Sequence, residues 1–327
     1  LPPPKEGIGV ESHWIPQEDD LDVEVRAELD ELERTGVRFL GNDGPRQFAA
    51  SAKEASAALE HFLEHRLDLF GPYEDAMDYR DWTMSHSLLS VPMNLGLLDP
   101  IEVVKKAESA FRAGKARLSS VEGFIRQIAG WRDYVFHLYW HFGEEYTKHN
   151  YLEADEQLPE WLSNADPEQL EAKCLSDAVS NVRDYGWAHH IQRLMVLGNH
   201  ALQRGYNPQQ TNDWFIDAFV DGTPWVMPAN VIGMTLYADG GAMSTKPYAA
   251  GGAYINRMSN YCSDCPFDPK KRLGEDACPF TAGYWNFMNK NQEKLKGNFR
   301  MSNPLSSLRR LSDVEEVVAQ ETARNSF

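Results

Sequence analysis

No run of alternating Val, Ile and Thr bounded by hairpin turns occurs in this sequence, which excludes a β-sheet of consequence. Long apolar runs are also missing. The stretch around Met195 to Leu197 falls far short of the roughly 18 to 20 residues that a membrane-spanning helix needs, so no span is expected. The start carries no charged segment followed by an apolar run and a small-residue cleavage site, and its first residue is Leu1. The expectation is a processed product or fragment that is not secreted. Four cysteines in 327 residues are too sparse for a disulfide scaffold. Basic residues are scarce beside acidic ones, 32 against 49 for a net charge of −17, which argues at first sight against a nucleic-acid partner.

The distribution of charge changes that reading. Residues 1–100 hold 8 Lys and Arg against 21 Asp and Glu, a net of −13. Residues 246–310 hold 11 against 5, a net of +6, which suits a phosphate backbone or an ordinary mixed-charge surface. Hydrophobic content of 42% is enough for a substantial core, in one large domain or two ordinary ones. Residues 1–20, with three consecutive prolines, read as an extended arm. Helical spacing then dominates: Val23–Arg34, Ala49–His65, Ile101–Ala113 after the start signal Asp99–Pro100, Ser120–His149 and Leu175–Gln203. The fold class is all-α. Residues 221–253 and 262–283, rich in Gly, Pro and small residues, read as long loops of the kind that line a site.

The spacing of the cysteines carries chemistry. Cys262 and Cys265 form a Cys-x-x-Cys turn, Cys278 follows after twelve residues, and Cys174 lies upstream at the edge of a predicted helix. Four soft ligands suit tetrahedral zinc or an iron–sulfur cluster, and the Cys-x-x-Cys unit equally suits a redox dithiol. Pro266 and Pro279 each follow a cysteine directly, as in loops shaped around an inorganic core.

These four cysteines, with Ala188-His189-His190-Ile191-Gln192-Arg193-Leu194-Met195, Tyr237-Ala238-Asp239-Gly240-Gly241 and Lys246-Pro247-Tyr248-Ala249, resemble the iron–sulfur bacterial cryptochromes and prokaryotic (6-4) photolyases. The likeness is collinear over roughly Phe70 to Arg310. It implies a [4Fe–4S] cluster on Cys174, Cys262, Cys265 and Cys278, an FAD, and a large helical domain over 67–327 behind an arm and linker helices over 1–66. Ser85, Ser87, Leu88, Leu89 and Ser90 are similar to the segment that holds the flavin pyrophosphate, where small hydroxyls and free N–H groups suit phosphate oxygens. By themselves these residues fit an ordinary N-cap as well. The segment Glu122–Tyr134 resembles the helix bordering flavin and lesion, with Gln127 and Arg132 toward the cofactor and Trp131 as a stacking surface for an extruded base. Arg193, Asp221 and Asn230 are similar to residues around the flavin.

His189 and His190 match the position from which a (6-4) photolyase histidine contacts the lesion, and imidazole is suited to giving and recovering a proton. Read as neighbours on a helix, they point about 100° apart and cannot both face one partner. Tyr248 and Lys246 resemble a lesion-side loop. Trp214 matches a tryptophan of the photoreduction path, with Trp187, Trp161 and Tyr185 as further hopping candidates, although plain packing accounts for most buried tryptophans.

Three features depart from the family pattern. Its N-terminal α/β antenna domain is expected to be missing here; Met227 stands where a Glu follows Trp-Val in the flavin loop; and Asn164–Lys173 lacks the tryptophan that comes shortly before the first cysteine. The leading expectation is a light-dependent (6-4) photolyase acting on damaged DNA. A second is a catalytically silent, cryptochrome-like FAD and iron–sulfur protein, a signalling module or subunit with a protein partner at the acidic N-terminal third. A remoter one, a likeness to the primase large subunit, is opposed by the flavin motifs. The expected location is cytoplasm or nucleoid in a bacterium, or an organelle in a eukaryote, for a monomer or a subunit of an assembly.

Overall fold

The computed structural model describes residues 1–327, and no strand occurs in it; three isolated bridges, such as Met77 with Ser259, are its only β pairing. Residues 1–19 run without helix until Asp19 caps the helix Asp20–Arg34 in a capping box with Asp22. No residue of that helix is buried. Arg46 ties it to the next helix, Ala52–His65, by pairing with Asp22 at 2.7 Å and Glu54 at 2.8 Å.

Apolar residues gather into two cores. A smaller one contains Leu59, Phe62, Phe70, Val103, Phe124 and Ile128; a larger one draws Met77 together with residues between Tyr146 and Phe327. Arg66 lies in the interior between the arm and the segment 83–86 with no carboxylate partner, donating instead to the carbonyls of Glu11, Met84 and His86 and to Thr83 Oγ1.

One expected helix and one expected loop differ in their course. The segment expected as one helix over Leu175–Gln203 stops at Tyr185, because Gly186 takes a left-handed φ of 58° and closes the helix Lys173–Tyr185. Helix resumes at His190, so His189 is its extended N-cap (φ −71°, ψ 159°) and not a helical neighbour of His190. The expected loop over 262–283 ends early: Pro279, with its φ preset for a first turn, opens the 17-residue helix Pro279–Leu295.

Three stretches are π-helical, Arg126–Arg132, Arg193–Gly198 and Ala229–Thr235. The last two pack tightly: a Cβ on Gly198 would lie 2.1 Å from Thr235 Cγ2 and 2.8 Å from the Arg193 carbonyl oxygen. Only glycine permits that approach.

Candidate functional site

Cys174, Cys262, Cys265 and Cys278 come from three separate stretches of chain and line one cavity. Cys174 is the second residue of the helix Lys173–Tyr185, Cys262 lies in the turn Tyr261–Ser263 with Cys265 just beyond it, and Cys278 precedes the helix Pro279–Leu295. The rest of the wall is apolar or backbone: Ala172, Gly252, Ile255, Tyr261, Phe267, Pro279 and Phe280. All four thiols are free of disulfides. Burial, followed by repulsion among the sulfurs, pushes Cys174 well up and Cys262 up to about 12. Thiolates become stable in such a pocket only around a cationic centre. No three of the sulfurs lie within 4.8 Å of one another. Zinc bonds of 2.3 Å would place sulfurs about 3.8 Å apart, so the set is spread wider than one tetrahedral ion requires. Gly252 brings its backbone so close that a Cβ there would sit 2.7 Å from Cys278 Sγ.

A buried polar shell lies where the two cores meet. Arg193 grips Asp221 with both guanidinium ends, at 2.8 and 3.1 Å, and donates to the Ala188 carbonyl at 2.5 Å. Ser90, at the start of the helix Ser90–Asn94, donates to the same carboxylate at 2.7 Å, and Asn94 donates to the Asp221 carbonyl. The Arg193 guanidinium also lies over Phe219 and Trp187, and Phe219 packs edge-on against Trp214. Arg132 lies over Trp225 and donates to the Met93 carbonyl of the Ser90–Asn94 helix at 3.4 Å. Leu88, between Ser87 and Leu89, holds a left-handed φ of 57°, a costly conformation for a branched side chain. Ser85 is fully buried on the Leu69 carbonyl, and Ser87 accepts from Leu89 N–H.

The histidines fall on either side of this shell's surface. His189 is buried and stacks on His86 at 4.9 Å, and burial holds both rings well below the ordinary imidazole value, so both are neutral at pH 7. His190 is outside, 3.2 Å from Asp75. The neighbouring Glu74, pushed up by burial, accepts from Gln127 at 2.7 Å. Several polar atoms in this region are buried with no partner: both nitrogens of His189, His86 Nε2, Arg132 Nε, Trp187 Nε1, Trp214 Nε1 and Thr223 Oγ1. Buried polar groups are nearly always satisfied, so this concentration marks a shell shaped to hydrogen-bond a ligand.

The structure thus brings together Ser90, Arg193, Asp221, Trp187, Trp214 and His189, with Gln127, Arg132 and the exposed His190 at the margins. It does not bring in three others. Trp131 is 43% exposed and packs on Tyr134; Tyr248 is 38% exposed; Asn230 spends its amide on the Val226 carbonyl of its own turn. Trp161 lies elsewhere, buried against His200 and Phe327. Sequence reasoning missed His86, Asp75, Trp82 and the link between the two sites. That link is Tyr261, beside Cys262, which donates to Asp177 at 2.7 Å and accepts from Gln192 at 2.8 Å. Gln192 stands inside the quoted His-His-Ile-Gln-Arg string, the one available signal. Trp82 stacks on Tyr185 at 4.1 Å and meets Trp187 edge-on, extending the aromatic contacts to the surface.

Comparison with known proteins bears on the relatives and the fold of the chain. No protein-family model matches the chain. It is 45% identical over 266 residues, 81% of its length, to the (6-4) photolyase of Agrobacterium fabrum, and covers 52% of that protein. It is 35% identical over 103 residues to an uncharacterized protein of Acanthamoeba polyphaga mimivirus, covering 32% of this chain and 76% of the other. Among solved structures it is similar in fold to a bacterial class III photolyase from Agrobacterium tumefaciens, with a TM-score of 0.51 and 17% identity over 84% of this chain and 55% of that one. The chain therefore spans about half the length of the photolyases it matches.

Proposed function

Since the chain belongs to the family of the prokaryotic (6-4) photolyases and bacterial cryptochromes, we propose that it is the flavin- and cluster-binding part of a light-dependent DNA repair protein acting on (6-4) lesions. The observation that carries this reading is the unsatisfied polar shell around Arg193 and Asp221, which has the donors and acceptors an FAD requires. Bound there, reduced FAD would supply a photoexcited electron to the lesion.

The protein's own groups do the remaining work. Ser87, Leu88, Leu89 and Ser90 would present hydroxyls and N–H groups to the pyrophosphate, and Gln127, Arg132, Arg193 and Asp221 would fix the ring system, whereas Ser85 and Asn230 already spend their side chains on the Leu69 and Val226 carbonyls. His189, neutral, buried and stacked on His86 with both ring nitrogens unpartnered, would donate one ring N–H to the ligand; His190, on Asp75, would exchange protons with solvent. Trp131 and Tyr248, exposed aromatics, would stack on the flipped-out base, whose extrusion is cheapest for a poorly stacked lesion. Trp187 and Trp214 lie on the proposed reduction path. The four cysteines would hold a [4Fe–4S] cluster, a reading supported over zinc by the spread of their sulfurs. The division at residue 66, and residence in cytoplasm, nucleoid or organelle, belong to the same proposal.

The test is light-dependent repair of an oligonucleotide bearing one (6-4) photoproduct by flavin-loaded protein. Repair in blue light and none in darkness is expected. A preparation that binds reduced FAD yet repairs nothing in light overturns repair and leaves the silent, cryptochrome-like reading. That second reading is favoured by Met227, buried where a carboxylate would meet the flavin, and by the helix Asp20–Arg34, which leaves Leu21, Val23, Val25 and Leu32 exposed in an acidic setting suited to a protein partner.

A further inference from the structure

We propose that Glu11, His61 and His65 form a divalent transition-metal site that clamps the N-terminal arm onto the helix Ala52–His65. His61 and His65 stand four residues apart, one turn of one helix face, with ring centroids 4.7 Å apart. Glu11 reaches both from the arm: Oε1 is 3.7 Å from His61 Nε2, and Oε2 is 3.0 Å from His65 Nδ1. One ligand atom from each residue falls within 4.8 Å of the others. Zinc bonds of 2.0–2.1 Å in a tetrahedron place ligand atoms about 3.3 Å apart, so the imidazoles would draw in from within 4.8 Å onto one carboxylate that already lies 3.0 and 3.7 Å from them.

The backbone of Glu11 is held in place independently, since its carbonyl accepts from the buried Arg66 guanidinium at 2.5 Å. His61 Nδ1 is buried without a partner, so assigning its Nε2 to a metal costs no hydrogen bond that the ring now makes. Two imidazoles and a carboxylate select zinc, cobalt, nickel or copper over magnesium or calcium. Glu11 is 59% exposed at its side chain, which leaves a fourth position for water and an entry path. The site shares no residue with the cysteine cavity or the shell around Arg193. Without metal the same contacts are an ordinary carboxylate–imidazole pair, and this is the alternative the experiment must separate.

The chain is titrated with Zn²⁺ by calorimetry beside the double variant His61→Ala/His65→Ala and the single variant Glu11→Gln, all with the cysteine cavity in the same loaded state. The wild type is expected to take up one more equivalent than the double variant, and Glu11→Gln to weaken that equivalent at least tenfold. Zn²⁺ should also slow cleavage after Glu11 by a glutamate-specific protease in the wild type and not in His65→Ala. Glu11 and His65 lie near the surface, so these single variants keep the test readable if the double variant folds poorly. Equal stoichiometry in wild type and double variant overturns the proposal. So does an extra equivalent that Glu11→Gln leaves unchanged, or an arm cleaved at one rate with and without Zn²⁺.

Discussion

Three imidazoles, those of His86, His189 and His200, lie in the interior, where a charged ring loses hydration that nothing nearby replaces. Burial is the first cause of the lowered affinity for protons in each, with cationic or imidazole neighbours second. The unfolded chain takes up protons below about pH 6.5 while the folded one resists, so stability is full above that value and is lost as pH falls beneath it. Each ring contributes up to about 1.4 kcal/mol per pH unit. Asp177 acts in the opposite sense: burial raises it to about 6, so the folded state holds a proton there that the unfolded state releases down to the ordinary carboxylate range. The urea midpoint is therefore expected to fall between pH 7.5 and 5.5. His200→Phe, at a position hydrogen-bonded only to Tyr206, is expected to shallow that fall by one ring's share. A variant with the wild-type slope would show that these buried rings do not set the acid limit.

Along the elements, π-helical turns coincide with the candidate site. Gln127 and Arg132 fall in one and Arg193 in a second, while the third, Ala229–Thr235, packs against the second. A π turn inserts one residue into the helical ladder and redirects the side chains around it, which is why such turns collect at functional sites. Gly198 locks two of them together. Gly198→Ala would force its methyl against Thr235 and the Arg193 carbonyl, so a loss of about 1–3 kcal/mol is expected, together with reduced flavin retention. Thr235→Ala in the same chain removes the nearer clash and should recover part of the stability, leaving the contact with the Arg193 carbonyl. Chemical denaturation of the two single variants and the double variant gives the coupling, and strict additivity would refute the steric account.

The all-α class and the Cys262–Cys265 turn were legible in sequence, because helical periodicity and Cys-x-x-Cys spacing are local signals; Cys174, far upstream, was joined to them by the family resemblance. The π turns were not, since their hydrogen-bond register is decided by packing. Nor was the helix break ahead of His189: periodic Leu, Val and Ala on both sides of Gly186 read as one helix. The Tyr261–Asp177–Gln192 contacts join residues up to 84 positions apart, which no periodicity within a segment discloses.

Across the whole molecule, the electrostatics set net acidity against a locally basic stretch. Of the eleven cations in residues 246–310, Lys271, Arg272, Lys294 and Lys296 are engaged by Asp276, Asp313, Glu153 and Glu293. The other seven, Lys246, Arg257, Lys270, Lys290, Arg300, Arg309 and Arg310, form no ion pair. Paired charges have little left to offer a phosphate, because their field is already compensated; unpaired ones release a counterion each when a phosphate replaces it. The helix Asp20–Arg34 and its acidic neighbours repel the same backbone, so binding to DNA under the proposed function should be weak at physiological salt and steeply dependent on it. Lys246→Ala, beside the exposed Tyr248, is expected to weaken binding of undamaged and damaged duplex alike and to lower the slope of log affinity against log salt by about one. The charge-neutral double variant Glu293→Ala/Lys296→Ala should leave that slope unchanged, since it deletes a pair that was already closed. Fluorescence anisotropy across a salt series reads both. Equal slopes for wild type and Lys246→Ala would mean that the unpaired cations around Tyr248 do not face the DNA, and the lesion-side assignment of that loop would fall with them.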